Sequence, residues 1–237
     1  MPALINLLVP AGTLLGWGTA PGEAAGWGLL DTQETQALVK AASRHPRTRW
    51  CATLVAPDGT AIAHGCAAGQ HPWQQDVPPS SGSPPDPWSG SGLPPPRASD
   101  AGRGVSEAPH QELAARLLDL LRRLNLTLEP IARDACDHQS AESRYVPSRK
   151  LRHLVRARNQ LCSAPACNAQ AVYCDLDHTV PYPDGPTCQC NLSPKCRRHH
   201  RTKQAPGWEV TQPAPDIAVW TTPSGRTHRT TPTVYDL

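Results

Sequence analysis

The chain has no phenylalanine and a single methionine, and aromatic side chains make up only 5% of its 237 residues. Together with 27 prolines, this argues against one continuous core and for islands of order joined by irregular chain. No lysine or arginine precedes Lys40, so the apolar start Ala3–Leu15 lacks the positive flank of a secretory signal. Pro10, Gly12, Gly16 and Gly18 interrupt that start, well short of the roughly 20 apolar residues a membrane helix needs. The expectation is a soluble cytoplasmic protein with no membrane partner. In a reducing compartment its nine cysteines are expected to hold metal more than to form bridges.

The net charge of +3 conceals a segregation. Residues 1–143 carry 10 basic and 14 acidic groups, residues 144–203 carry 11 and 3, and residues 204–237 carry 2 and 3. A block of excess Lys and Arg attracts polyanions and releases their counterions, the sequence-independent part of nucleic-acid affinity. A solvated basic face is the plainer reading of the same block.

Along the chain, Leu4–Val9 is β-prone, and Pro10-Ala-Gly-Thr, Pro21-Gly-Glu and Gly26-Trp-Gly mark tight loops. Asp31 is placed to cap a helix through Glu34, Leu38 and Ala42, with Glu34 closing a capping box. Trp50–Ala56 and Thr60–His64 read as a hairpin around Pro57-Asp-Gly. Trp17, Trp27 and Trp50 are expected to pack in the core or under loops. From Gln70 to about Pro109 the composition collapses into Pro, Ser and Gly, which predicts a disordered linker. Leu113, Leu117, Leu120, Leu121 and Leu124 then recur at helical spacing beside Arg116, Arg122 and Arg123. This stripe is read as a packing face, and self-association through 113–124 is its sharper reading.

The fold class expected is α+β. A small N-terminal α/β segment (1–69) is followed by the linker (70–109), a helical segment (110–143), a compact module (144–210) and a tail with short strands (211–237).

The chemistry concentrates in the compact module, where a helix is expected after Pro147. Cys162 and Cys167 form one pair, and Cys196 with His199 forms a second at the start of a helix. Two such pairs about thirty residues apart match a closed tetrahedral zinc site in a domain with little core. Cys174, Cys188 and Cys190 lie nearby, and any of them is an alternative to His199 as fourth ligand. His199 is preferred because residues three apart on the first turn of a helix converge, whereas Cys188 and Cys190 in an extended stretch point to opposite sides.

Between the pairs lies Leu176-Asp177-His178-Thr-Val-Pro181, with the turn signal Asp184-Gly185, then Asn191, and His200 directly after His199. Asp-His, Asn and His in this order between paired zinc ligands resemble the HNH endonuclease signature, a ββα fold around one catalytic metal. The wider text, including Cys174-Asp-Leu-Asp-His-Thr-Val-Pro-Tyr and Trp220-Thr-Thr-Pro-Ser-Gly-Arg-Thr, resembles the repeat-type HNH proteins of mycobacteria and other actinobacteria. Leu7-Leu-Val-Pro-Ala-Gly-Thr-Leu-Leu-Gly with Pro21-Gly-Glu and Gly26-Trp-Gly is similar to the end of the domain of unknown function that precedes the nuclease there. The resemblance covers about residues 4–66 and 144–233 and implies a shortened copy of that first domain.

The resemblance implies a DNA endonuclease, a phosphodiester hydrolase. Asp177 and His200 would ligate one catalytic ion, Mg2+, Mn2+ or Ni2+. His178 would be the general base, suited by an unperturbed pKa near 6.5, and Asn191 would fix the loop that orients it. Arg152, Arg156, Arg158, Arg197, Arg198, Arg201 and Lys203 are the candidates for contact with DNA, double-stranded in this reading, through its phosphates. The sequence departs from the family's pattern at Pro206 and at the extra Cys190. The competing reading is a catalytically degenerate zinc-containing DNA-binding protein.

Overall fold

The computed structural model describes residues 6–68, 115, 118–119, 121–134 and 136–235. The expected linker, and Leu113, Leu117 and Leu120 of the apolar stripe, lie outside the described residues. The chain is mixed α/β with small antiparallel sheets and divides into two compact units. One comprises Met1–Arg49 and Ala68–Asn125, and the other Trp50–Ala67 and Leu126–Leu237.

In the first unit β1 (Leu7–Leu8), β2 (Gly22–Ala24) and β3 (Gly28–Leu30) form an antiparallel sheet, joined by helix α1 (Ala11–Leu15) and followed by α2 (Thr32–Ser43). Helix α2 starts at the residue its sequence marks. Asp31 Oδ1 accepts the Glu34 amide at 2.8 Å, and Glu34 Oε2 accepts the Asp31 amide at 3.2 Å, satisfying two donors that a helix start leaves open. Thr35, Val39 and Ser43 are its buried face, four apart as one side of a helix requires. Gly22 lies so close to this face that a Cβ there would come within 2.6 Å of Thr35 Oγ1. Trp27 departs from the packing expected of it. It is 85% exposed, on a turn flanked by Gly26 and Gly28, whose positive φ values lift it off the sheet.

The second unit begins with the expected hairpin, β4 (Arg49–Val55) and β5 (Ala61–Ala68), extended by β6 (Glu129–Pro130). Asp58 Oδ1 accepts the Thr60 amide at 2.9 Å in its turn, and Gly59 takes the positive φ the turn demands. Helix α3 (Arg149–Arg158) starts after Pro147 as expected, with Ser148 Oγ accepting the Leu151 amide at 3.1 Å. It packs on two sides. Leu151 and Val155 meet Leu192 and Leu176, while Leu154 and Ala157 meet Ala61 and Ile131. The second contact explains why the hairpin 50–67 groups with the C-terminal residues and not with the N-terminal segment in which the sequence placed it.

Strands β7 (Asp175–His178) and β8 (Leu192–Lys195) pair antiparallel and lead into helix α4 (Arg197–Lys203). A last antiparallel sheet follows, β9 (Glu209–Ala214), β10 (Ile217–Thr221) and β11 (Thr227–Thr230), with β10 central. Strand β9 crosses the boundary expected at 210, and the sheet supplies core as well as a tail. Trp220, 1% exposed, packs with Ala218, Cys162, Ala164 and Cys174, and its Nε1–H donates to Ser163 O at 2.9 Å. Among the described residues, no helix is long and apolar enough to cross a membrane.

Because Trp220 is the largest fully buried side chain of this unit, Trp220→Ala is expected to cost about 3–5 kcal/mol of stability. A urea titration that left the midpoint of this variant unchanged would contradict the placement of the core.

Candidate functional site

Of the expected Asp-His, Asn and His set, Asp177 and His200 meet where helix α4 crosses β7, whereas the side chains of His178 and Asn191 contact Thr187 and the Val180–Pro186 loop. Asp175 and Asp177 are two apart on β7 and so share a face, the face that α4 covers. His200, on the first turn of α4, lies between them: Nδ1 is 2.9 Å from Asp175 Oδ2 and Nε2 is 3.2 Å from Asp177 Oδ1. With Nδ1–H donating to Asp175, the Nε2 lone pair faces Asp177, the way a carboxylate fixes the tautomer of a ligating histidine. Two ligands at right angles on an ion of bond length about 2.1 Å are about 3.0 Å apart. Asp177 Oδ1 and His200 Nε2 therefore fit as adjacent ligands of one divalent ion.

The other oxygen of Asp177 is engaged. Lys203 Nζ lies 2.8 Å and Lys195 Nζ 3.2 Å from Oδ2. Burial pushes the Asp177 carboxyl up, but Lys195, Lys203 and His200 together hold it below the usual carboxylate range. Lys195 is fully buried. Burial pushes its ammonium down to about 8 against the pull of Asp177, and it also donates to Ser193 Oγ at 2.6 Å. Lys195 was not among the residues expected at the site, because its place after Leu192, Ser193 and Pro194 does not say which carboxylate it meets.

His178 is 5% exposed, lies stacked on Tyr145 with ring centroids 5.3 Å apart, and places Nε2 2.7 Å from Thr187 Oγ1. Burial lowers its pKa, with Asp177 opposing, so the imidazole is neutral at pH 7. Asn191 acts on the loop: Oδ1 accepts the Val180 amide at 2.8 Å, and Nδ2 donates to Val180 O at 2.9 Å and to Pro186 O at 3.0 Å. Thr187, absent from the sequence-based set, touches His178 directly.

Cys162, Cys167, Cys196 and His199 converge as the pairing predicts, all four donor atoms within 4.8 Å of one another. Cys196 Sγ and Cys162 Sγ lie 3.2 and 3.6 Å from His199 Nδ1, and Cys167 Sγ lies 4.0 Å from Cys196 Sγ. Tetrahedral zinc with three thiolates and one imidazole has donor separations of about 3.7 Å, so these residues fit that ion. Cys174 donates to Gln170 O at 3.4 Å and Ala169 O at 3.8 Å and also touches Cys162, but it is not among the four donors that all lie within 4.8 Å of one another.

Two further groups could hold a metal. Cys136, His138, Cys188 and Cys190 form one, and Cys51, His64, Cys66 and His153 the other. In the second, Cys51 and Cys66 are joined as a disulfide, a departure from the expected use of cysteine, with His153 Nδ1 3.0 Å from Cys66 Sγ.

The basic candidates separate by burial. Arg152, Arg198 and Arg201 are exposed, and Arg197 is exposed while reaching Asp175 Oδ2 at 3.1 Å. Arg156 is half-buried against Cys174 O at 3.3 Å. Arg158 and Lys203 do not serve as free phosphate contacts. Arg158 is buried, donating to Asn159 Oδ1, Gln189 O and Leu192 O, each at 2.7 Å, and Lys203 is held by Asp177 and by His178 O.

No protein-family model and no solved structure matches the chain. Uncharacterized protein Rv3776 of Mycobacterium tuberculosis is 38% identical over 139 residues, covering 58% of this chain and 25% of that protein. Uncharacterized proteins Rv2100 and MT2160, from two strains of the same organism, are each 43% identical over 94 residues, covering 39% of this chain and 17% of theirs. The chain thus spans a quarter or less of the length of the relatives it matches.

Arg158 donates to two carbonyls, Gln189 O and Leu192 O, the second of which Gln212 Nε2 also reaches at 3.3 Å. Arg158→Met is therefore expected to lose stability on the order of 3 kcal/mol, measured by urea unfolding. Wild-type stability in that variant would show that the three hydrogen bonds contribute nothing.

Proposed function

We propose that the unit containing β7, β8 and α4 is a metal-dependent HNH-type endonuclease that hydrolyses phosphodiester bonds of DNA. The observation that carries this reading is the 3.2 Å separation of Asp177 Oδ1 and His200 Nε2, with His178, the residue after Asp177, buried and held by Thr187. When bound, a single divalent ion polarises the phosphoryl group and stabilises the departing 3′ oxygen. Asp177 and His200 would hold that ion, with Asp175 at Nδ1 orienting the His200 ring so that Nε2 faces Asp177.

His178 takes the proton from the attacking water. With Nε2 engaged by Thr187, Nδ1 is the nitrogen that receives it, and the neutral imidazole suits that role at pH 7. Arg152, Arg198 and Arg201 position the DNA backbone through its phosphates. The zinc at Cys162, Cys167, Cys196 and His199 is structural and fixes the direction of α4.

A second reading, a DNA-binding protein without catalysis, is favoured by one feature: two ammonium groups already neutralise Asp177 and compete with an incoming cation.

Plasmid nicking with added magnesium, manganese or nickel separates these. His178→Ala is expected to cut 10²- to 10⁴-fold more slowly than wild type. Equal cutting by both would contradict His178 as base, and DNA binding without cutting under any of the three ions would establish the second reading.

A further inference from the structure

We propose that Cys136, His138, Cys188 and Cys190 form a second structural zinc site, which ties the loop beside His178 to the chain ahead of helix α3. This site is separate from the four residues read as zinc ligands from sequence spacing, and it does not depend on the nuclease reading.

The donors meet the same geometric test as the first group. All four lie within 4.8 Å of one another, with His138 Nδ1 3.3 Å from Cys190 Sγ and 3.7 Å from Cys188 Sγ. Three thiolates and one imidazole at these separations suit a tetrahedral ion with edges of about 3.7 Å. Cys188 and Cys190 were expected to point apart, as alternate residues of an extended stretch do. They lie instead in a turn: the Cys188 amide donates to Pro186 O at 3.2 Å and the Asn191 amide to Cys188 O at 3.3 Å, which brings both sulfurs to one side.

The local backbone repeats a device of the first group. There the Cys196 amide donates to Cys162 Sγ at 3.3 Å, and here the His138 amide donates to Cys136 Sγ at 3.4 Å. Amide donation to sulfur favours the thiolate over the thiol, the form a metal requires. His138 also adopts φ +60°, a left-handed conformation unusual for a side chain other than glycine's. Its ring faces Cys188 and Cys190.

The position of the site gives the ion a task. Thr187, the neighbour of Cys188, bonds His178 at 2.7 Å and accepts the Glu142 amide at 2.9 Å. Asn191, the neighbour of Cys190, clamps Val180. Between the two cysteines, Gln189 reaches the Ala132 amide at 3.0 Å and Pro130 O at 3.2 Å. A metal joining 136–138 to 188–190 thus anchors the middle of the turn whose two flanking residues are Thr187 and Asn191.

The test is zinc content of the full-length chain, purified without chelator, for wild type, Cys136→Ser/Cys188→Ser and Cys162→Ser/Cys167→Ser. Each double variant is expected to lose about one zinc equivalent relative to wild type. Hydrogen exchange distinguishes the sites: the first variant should lose protection at the Val180 and Glu142 amides while the Cys162 and Ser163 amides stay protected. Cobalt-substituted wild type supplies a readout that needs no variant, with thiolate-to-cobalt charge transfer about twice that of a single three-thiolate site. Unchanged zinc in Cys136→Ser/Cys188→Ser, a Cys188–Cys190 disulfide in the zinc-loaded protein, or cobalt absorption of one such site only would each overturn the proposal.

Discussion

The direction of helix α4 depends on a single juncture. Cys196 lies between the end of β8 and the first residue of the helix, and His199, one turn on, faces back toward Cys196 and Cys162. Successive residues on a helix diverge by about 100°, so His200 cannot share that direction. It projects instead across the β7 strand to Asp175 and Asp177. The neighbouring histidines thus answer to different partners, and the group that locks one orients the other. Seven residues of helix, none of them buried, would not hold this geometry by packing, and isolated helices of that length are unstable in water.

Around this juncture the unit compensates for its shortage of large apolar side chains in two ways. Trp220 fills the space behind the Cys162 group and satisfies its own indole N–H on Ser163. Arg158 spans from helix α3 to the carbonyls of Gln189 and Leu192, a guanidinium used as an interior brace. Both tie sequence-distant segments to the strand pair, and both are consistent with two or three groups of Cys and His doing the work that a larger core does elsewhere.

How much of this was legible in the sequence follows the range over which each interaction acts. The Asp31–Glu34 capping box, the Pro57-Asp-Gly turn and the helix after Pro147 are local, and the structure has them where the residues indicate. The Cys162–Cys167 and Cys196–His199 pairs were legible because each pair is short and repeats a known spacing. Cys136 and His138 carry no such signal, because their partners are some fifty residues away and the turn that gathers Cys188 with Cys190 is set by Asn191. His153 meets Cys66 across a separation of 87 residues, which no window of sequence contains. Burial was the least legible property: Arg158 and Lys203 read as surface charge, and Trp27 read as core, because composition does not say which side of an element faces inward.

The claim on which the account turns is that Asp177 and His200 share one divalent ion. Manganese binding to the zinc-loaded protein, followed by electron paramagnetic resonance, tests it without requiring turnover. Wild type is expected to bind one Mn2+, lost in His200→Ala with the zinc content unchanged. Undiminished Mn2+ binding in that variant would contradict it.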